Sequence, residues 1–158
     1  MLCSSKGAFW FGLALCVALA PIGAYADSIE PCSLLTKEEF AQGGPTYSDP
    51  GAMGSSCSYE DGVVYVFSGP NAQAALDSLL PELGYEESGK VLVEGVGDSA
   101  FAFYAKAPNQ YVGAHAVVVF SRGEHRVVLG VEAEDGQPGE SVHDRAVALA
   151  RLAAERLK

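Results

Sequence analysis

Val112 to Ala133 reads VGAHAVVVFSRGEHRVVLGVEA, two apolar runs on either side of Arg122-Gly123. Runs rich in Val, Leu and Phe around a glycine-bearing pair predict a β-hairpin. With Arg122-Gly123 as the turn, Ser121 lies opposite Glu124. The pairs Phe120–His125, Val118–Val127, Ala116–Leu129 and Ala114–Val131 then share one face. Side chains alternate across a strand, so this nearly continuous apolar set marks the core side. The other face carries Val117, Val119, Val128, His115, Arg126 and Glu132. His115 and His125 therefore point to opposite faces, and His143 starts a later helix, so no metal site is expected from the histidines.

Upstream, a turn at Pro108-Asn109 pairs Ser99–Lys106 with Val112–Ser121 and puts Phe101 and Phe103 opposite Ala116 and Ala114 on the core side. In that register Tyr104 joins the second face, and His115 sits between Ala102 and Gly130. Such small neighbours leave a shallow trough walled by Tyr104 and the valines, with His115, Arg126 and Glu132 as polar handles. Two readings of the trough stand. It is a binding patch for a small ligand, peptide or protein, or its small residues relieve sheet packing around a solvated His115. A half-apolar second face is more than a fully solvated sheet requires.

Around these strands the remaining elements follow local signals. Asp61-Gly62 predicts a hairpin between Cys57–Glu60 and Val63–Ser68, and Val91–Val93 is a further short strand. Thr36-Lys37-Glu38-Glu39 is a capping box, flanked by Leu35 and Phe40 at the positions of a hydrophobic staple. That helix stops at Gly43-Gly44-Pro45, and Thr46 to Ser56 reads as a loop. A second helix carries Ala72, Ala75, Leu76, Leu79 and Leu80 on one stripe. The last, capped by Ser141 with Asp144, has the stripe Val142, Ala146, Leu149, Ala150, Ala153 and Leu157. The order α-β-β-α-β-β-β-β-α predicts an α+β domain: an antiparallel sheet of about five to six strands with helices packed on one face.

Residues 1–26 read as a signal peptide: Lys6, the apolar run Ala8 to Ala20, Pro21, then Ala24-Tyr25-Ala26 before Asp27. The apolar run is too short to span a bilayer, and Leu15 before Cys16 does not suit a lipid-anchoring motif. Residues 27–158 are then a single exported domain, periplasmic or extracellular, without a membrane span or lipid anchor. The whole chain has 10 basic and 20 acidic residues, and removing Lys6 with the leader leaves 9 − 20 = −11. Such a charge excludes nucleic acid as a partner and is compatible with a basic one. Of four cysteines, Cys3 and Cys16 leave with the leader, so Cys32 and Cys57 are expected to pair in an oxidising compartment.

The opening EPCSLLTKEEF (Glu30 to Phe40) resembles the start of a family of exported bacterial domains, mostly actinobacterial lipoproteins of unknown function. SCSYEDG (Ser56 to Gly62), GVGDSAFAF (Gly95 to Phe103) and the Ala-rich last helix carry the same resemblance. The layout is also similar to the extracellular sensor domain of certain mycobacterial serine/threonine kinases. The resemblance implies a disulfide-bearing, non-enzymatic envelope domain.

No catalytic residue or cofactor is expected. Gly97-Asp98-Ser99 lacks the base and flanking glycines of a nucleophilic serine and reads as a turn into a strand. The acidic stretch Glu132 to Gly136 lacks the ligand pattern of a calcium loop. Function is therefore expected to be binding or sensing of an envelope protein or a small ligand. The alternative is an acidic inhibitor or immunity-type protein that neutralises a basic envelope enzyme.

Overall fold

The computed structural model describes residues 29–41, 51–53, 55–106 and 114–157. The expected signal peptide, and the expected turn at Pro108-Asn109, lie outside them. Among the described residues seven strands form one antiparallel sheet: β1 Gly51–Met53, β2 Ser56–Tyr59, β3 Gly62–Phe67, β4 Val91–Leu92, β5 Ser99–Ala105, β6 His115–Arg122 and β7 His125–Glu132. Their spatial order is β1-β2-β3-β7-β6-β5-β4. Three α-helices among the described residues complete the α+β fold: α1 Lys37–Phe40, α2 Ala72–Leu79 and α3 His143–Arg156. The six expected strands are present, and β1 is a seventh, in a stretch read as loop. It pairs with the outer edge of β2, which would otherwise be bare.

Helices cover both faces of the sheet, which corrects the expectation that they share one. β3 lies third in the sheet and β4 at the far edge, so the chain between them must cross β7, β6 and β5. α2 begins that crossing and buries Leu76 and Leu80 against Phe103, Val117, Val119 and Val128. α1 and α3 take the opposite face, where Ala146, Leu149, Ala150, Ala153 and Leu157 meet Val118, Phe120, Val127, Leu129 and Val131. The alanines let the helix backbone approach the strands closely. Ser141, expected to cap α3, lies instead inside a 3₁₀ turn, Gly139–Val142, and α3 starts without a side-chain cap.

Both hairpin registers differ from expectation, with unequal consequences. The β6–β7 turn is Gly123-Glu124, so Arg122 faces His125, Phe120 faces Val127 and His115 faces Glu132. Asp98 holds this turn from the side: its carboxylate accepts the Gly123 amide at 2.7 Å and lies 3.9 Å from Arg122 Nη1. The pairing has slipped by two residues, and a slip of two leaves every side chain on its expected face. On β5 the difference is odd. Phe101 faces Val119, Phe103 faces Val117, and Tyr104 faces Ala116. The register is set at the other end, where Ser99 and Ser121 hydroxyls meet at 2.8 Å and the Asp98 amide donates to Ser121 O at 2.8 Å. Phe101 and Phe103 thereby lie on the α2 side, and Tyr104 on the α3 side.

The N-terminal layer is built as its sequence predicts. Thr36 Oγ1 accepts the Glu39 amide at 3.2 Å, and Glu39 Oε2 accepts the Thr36 amide at 2.8 Å. Leu35 and Phe40 are both buried, Phe40 stacks on Tyr59 with ring centres 4.1 Å apart, and Cys32 is bonded to Cys57. Arg156, at the end of α3, clamps Glu39 with two contacts of 2.5 and 2.7 Å. The Arg156 guanidinium, helped by the Thr36 amide, holds the Glu39 carboxyl down to about 2 from its ordinary 4.5. Because the folded value is the lower, this stabilisation is complete above pH 4.5 and is lost as pH falls toward 2. Glu39→Gln should therefore cost about 1 kcal/mol at neutral pH, allowing for solvent screening of a partly exposed pair. It should also flatten the loss of melting temperature between about pH 5 and 2, followed by circular dichroism. An unchanged acid slope in the variant would place the sensitivity elsewhere.

Candidate functional site

The crossing from β3 to β4 leaves a gap. α2 ends at Leu79, and the chain turns through Pro81 to Gly84 before a 3₁₀ turn, Glu87–Gly89, brings it to the sheet edge. Between this segment and the sheet lies a pocket of about 650 Å³. Phe103, Val117 and Val128 close its floor, and the half-buried Val63, Leu83, Ala105 and His115 form its walls. Gly130 widens it from below, since a Cβ placed there would meet only Val63 Cγ1, at 3.5 Å. Tyr85 fixes the crossing segment in place by packing its ring on Phe101 and Phe103, with centres 5.4 and 5.1 Å apart. The mouth is polar: Glu82 and Glu86 come from the crossing, Glu140 from the 3₁₀ turn before α3, and Lys106 from the end of β5. That 3₁₀ turn sits tightly on β6, because a Cβ at Gly139 would lie 2.3 Å from His115 O.

The four residues expected to form the trough do not converge. His115 does line the pocket, and Glu132 faces it directly across the β6–β7 pair. Tyr104 borders the pocket but packs against the α3-side core, with its hydroxyl 3.1 Å from His143 Nδ1. Burial, then the Glu140 and Asp144 carboxylates, push its phenol above the ordinary range. The odd slip of β5 is what parts Tyr104 from His115. Arg126 lies at the other end of β7, where Nε donates to Gln73 Oε1 at 3.0 Å and Nη1 to Gly123 O at 3.0 Å. It pins α2 to the sheet.

The remaining histidines are separate from the pocket. His125 is buried on the α3 side, its Nδ1 2.8 Å from Ser68 Oγ, and His143 holds Tyr104. Ser99 is engaged by Ser121 at the exposed end of its strand. Among the described residues no three His, Cys, Asp or Glu side chains gather to hold a metal ion. No helix among them is long and apolar enough to cross a membrane.

The wall and mouth residues Glu82, Leu83, Glu86 and Glu140 escape sequence reasoning, because they come from connections whose path the sheet order decides. The usable signal was the uninterrupted run Val117-Val118-Val119-Phe120, which requires cover on both faces. Comparison with known proteins gives no match: no family model, curated protein or solved structure matches the chain.

Proposed function

We propose that this chain is a non-catalytic exported domain that binds a small ligand between the α2–β4 crossing and the sheet. The pocket carries the proposal: its roughly 650 Å³ falls within the range usual for small-molecule sites, and it joins an apolar floor to a few polar groups at the mouth. A periplasmic or extracellular location is supported by the leader-like residues 1–26 and by the Cys32–Cys57 bond, which an oxidising compartment maintains. The resemblance of Glu30–Phe40 and Ser56–Gly62 to exported bacterial domains supports it too.

The test is to fill the pocket without harming the fold. Gly130→Val adds a side chain where a Cβ has room, on a strand that favours valine over glycine. Ala105→Leu narrows the pocket independently from another strand. A neutral fluorophore such as Nile red should bind the wild type saturably at one site, and each variant at least about tenfold more weakly. The melting temperature of Gly130→Val should stay level or rise. Non-saturable binding to the wild type, or equal binding to both variants, would refute the site.

A second reading has one observation in its favour, the net charge of −10. An acidic inhibitor of a basic envelope enzyme would bind its target less well as salt rises, and would be indifferent to Gly130→Val.

A further inference from the structure

We infer that the pocket selects an amphipathic cation: an organic amine whose apolar body lies on the sheet and whose ammonium group sits at the mouth. The inference rests on the binding proposed above and concerns the chemistry of the ligand. Three carboxylates, Glu82, Glu86 and Glu140, border the pocket, against the single ammonium of Lys106. The three come from two different parts of the chain, brought together only by the fold. None of them makes an ion pair or hydrogen bond among the described residues. Other carboxylates of this molecule do find cations: Glu39 has Arg156, Asp61 has Arg145, Asp98 has Arg122 and Glu87 has Lys90.

Below the mouth the chemistry changes. Phe103, Val117, Val128 and Val63 offer no charged group, so a ligand bearing charge at both ends would lose hydration without repayment. A ligand with one cationic end places its charge among the carboxylates and its apolar end over valine and phenylalanine. An anion of the same shape meets repulsion at the mouth, strengthened by the chain's overall charge of −10. The upward push of Glu140 on the Tyr104 phenol reports the same negative field at that edge.

Three compounds with one skeleton provide the test: 4-phenylbutylamine, 4-phenylbutanol and 4-phenylbutyrate, titrated calorimetrically into the disulfide-bonded domain. The amine should bind about tenfold tighter than the alcohol, the sum of a few partly screened charge contacts, and the butyrate should bind weakest. Raising the salt should narrow the gap between amine and alcohol. The triple variant Glu82→Gln, Glu86→Gln, Glu140→Gln should bring amine affinity down to that of the alcohol. All three positions are exposed, so its melting temperature should stay within about 2 °C of the wild type. Alcohol binding as tight as amine binding, or a triple variant that still prefers the amine, would overturn the charge selection and leave the pocket standing. If none of the three compounds binds saturably, both the selection and the pocket as a binding site are refuted.

Discussion

Gly97→Ala should destabilise the protein by about 3 kcal/mol or more, lowering the melting temperature by roughly 10 °C. Two costs combine. Gly97 has φ +56, where a side chain is strained by about 1–2 kcal/mol. The added Cβ would also fall 2.2 Å from Ser121 O, a backbone atom that cannot swing aside. Moving Ser121 disturbs the hydrogen bond from the Asp98 amide, the Ser99–Ser121 contact and the Asp98 support of the β6–β7 turn. Gly136→Ala separates the two costs. Its φ is +78 but nothing lies within 4 Å of the new Cβ, so about 1 kcal/mol is expected. Equal effects from the two substitutions would mean that the close approach of Gly97 to Ser121 contributes nothing.

Reduction of Cys32–Cys57 should cost about 3–3.5 kcal/mol on the chain-entropy account of a loop of this length. The corresponding fall in melting temperature is again roughly 10 °C. The bond ties the 3₁₀ turn Pro31–Ser33 to β2, with residues 42–50 between them outside the described structure. Noncovalent ties remain after reduction: the Tyr59 hydroxyl donates to Leu35 O at 2.9 Å, and Arg156 holds Leu34 O and Glu39. The reduced N-terminal layer should therefore stay docked at neutral pH and detach in acid, when Glu39 is protonated. Hydrogen exchange would show this as early loss of protection at Phe40 and Ala41, whose amides bond within that layer, while β6 and β7 stay protected. Unchanged melting after reduction, or unchanged exchange of the reduced protein in acid, would contradict the role of the bond.

Local chemistry was legible in the sequence, and long-range placement was legible only where parity protected it. Thr36 and Glu39 cap a helix wherever that helix lies, and Cys32 had a single partner left once the expected leader was set aside. The faces of β6 and β7 survived a mistaken turn because the slip was even. β5 had no such protection. The residues that join it to β6, 107–113, lie outside the described structure; the observed pairing of Ala105 with His115 differs from the expected one by three residues, and that odd error carried Tyr104 to the other face. The pocket was half legible. His115, Val117, Val128 and Gly130 stood together in the sequence pattern, but their cover came from a crossing dictated by β7 pairing with β3.

Amide chemical-shift mapping of the ¹⁵N-labelled domain with 4-phenylbutylamine tests the pocket most directly. Ligand seated there should shift Leu83, Ala105, His115, Val117, Val128 and Gly130 together, along one saturation curve, and leave the outer face of α3 unmoved. Gly130→Val should abolish those shifts. Shifts centred on α3 or on the β1–β2 edge, or a response that persists in Gly130→Val, would contradict a binding site on the α2 face.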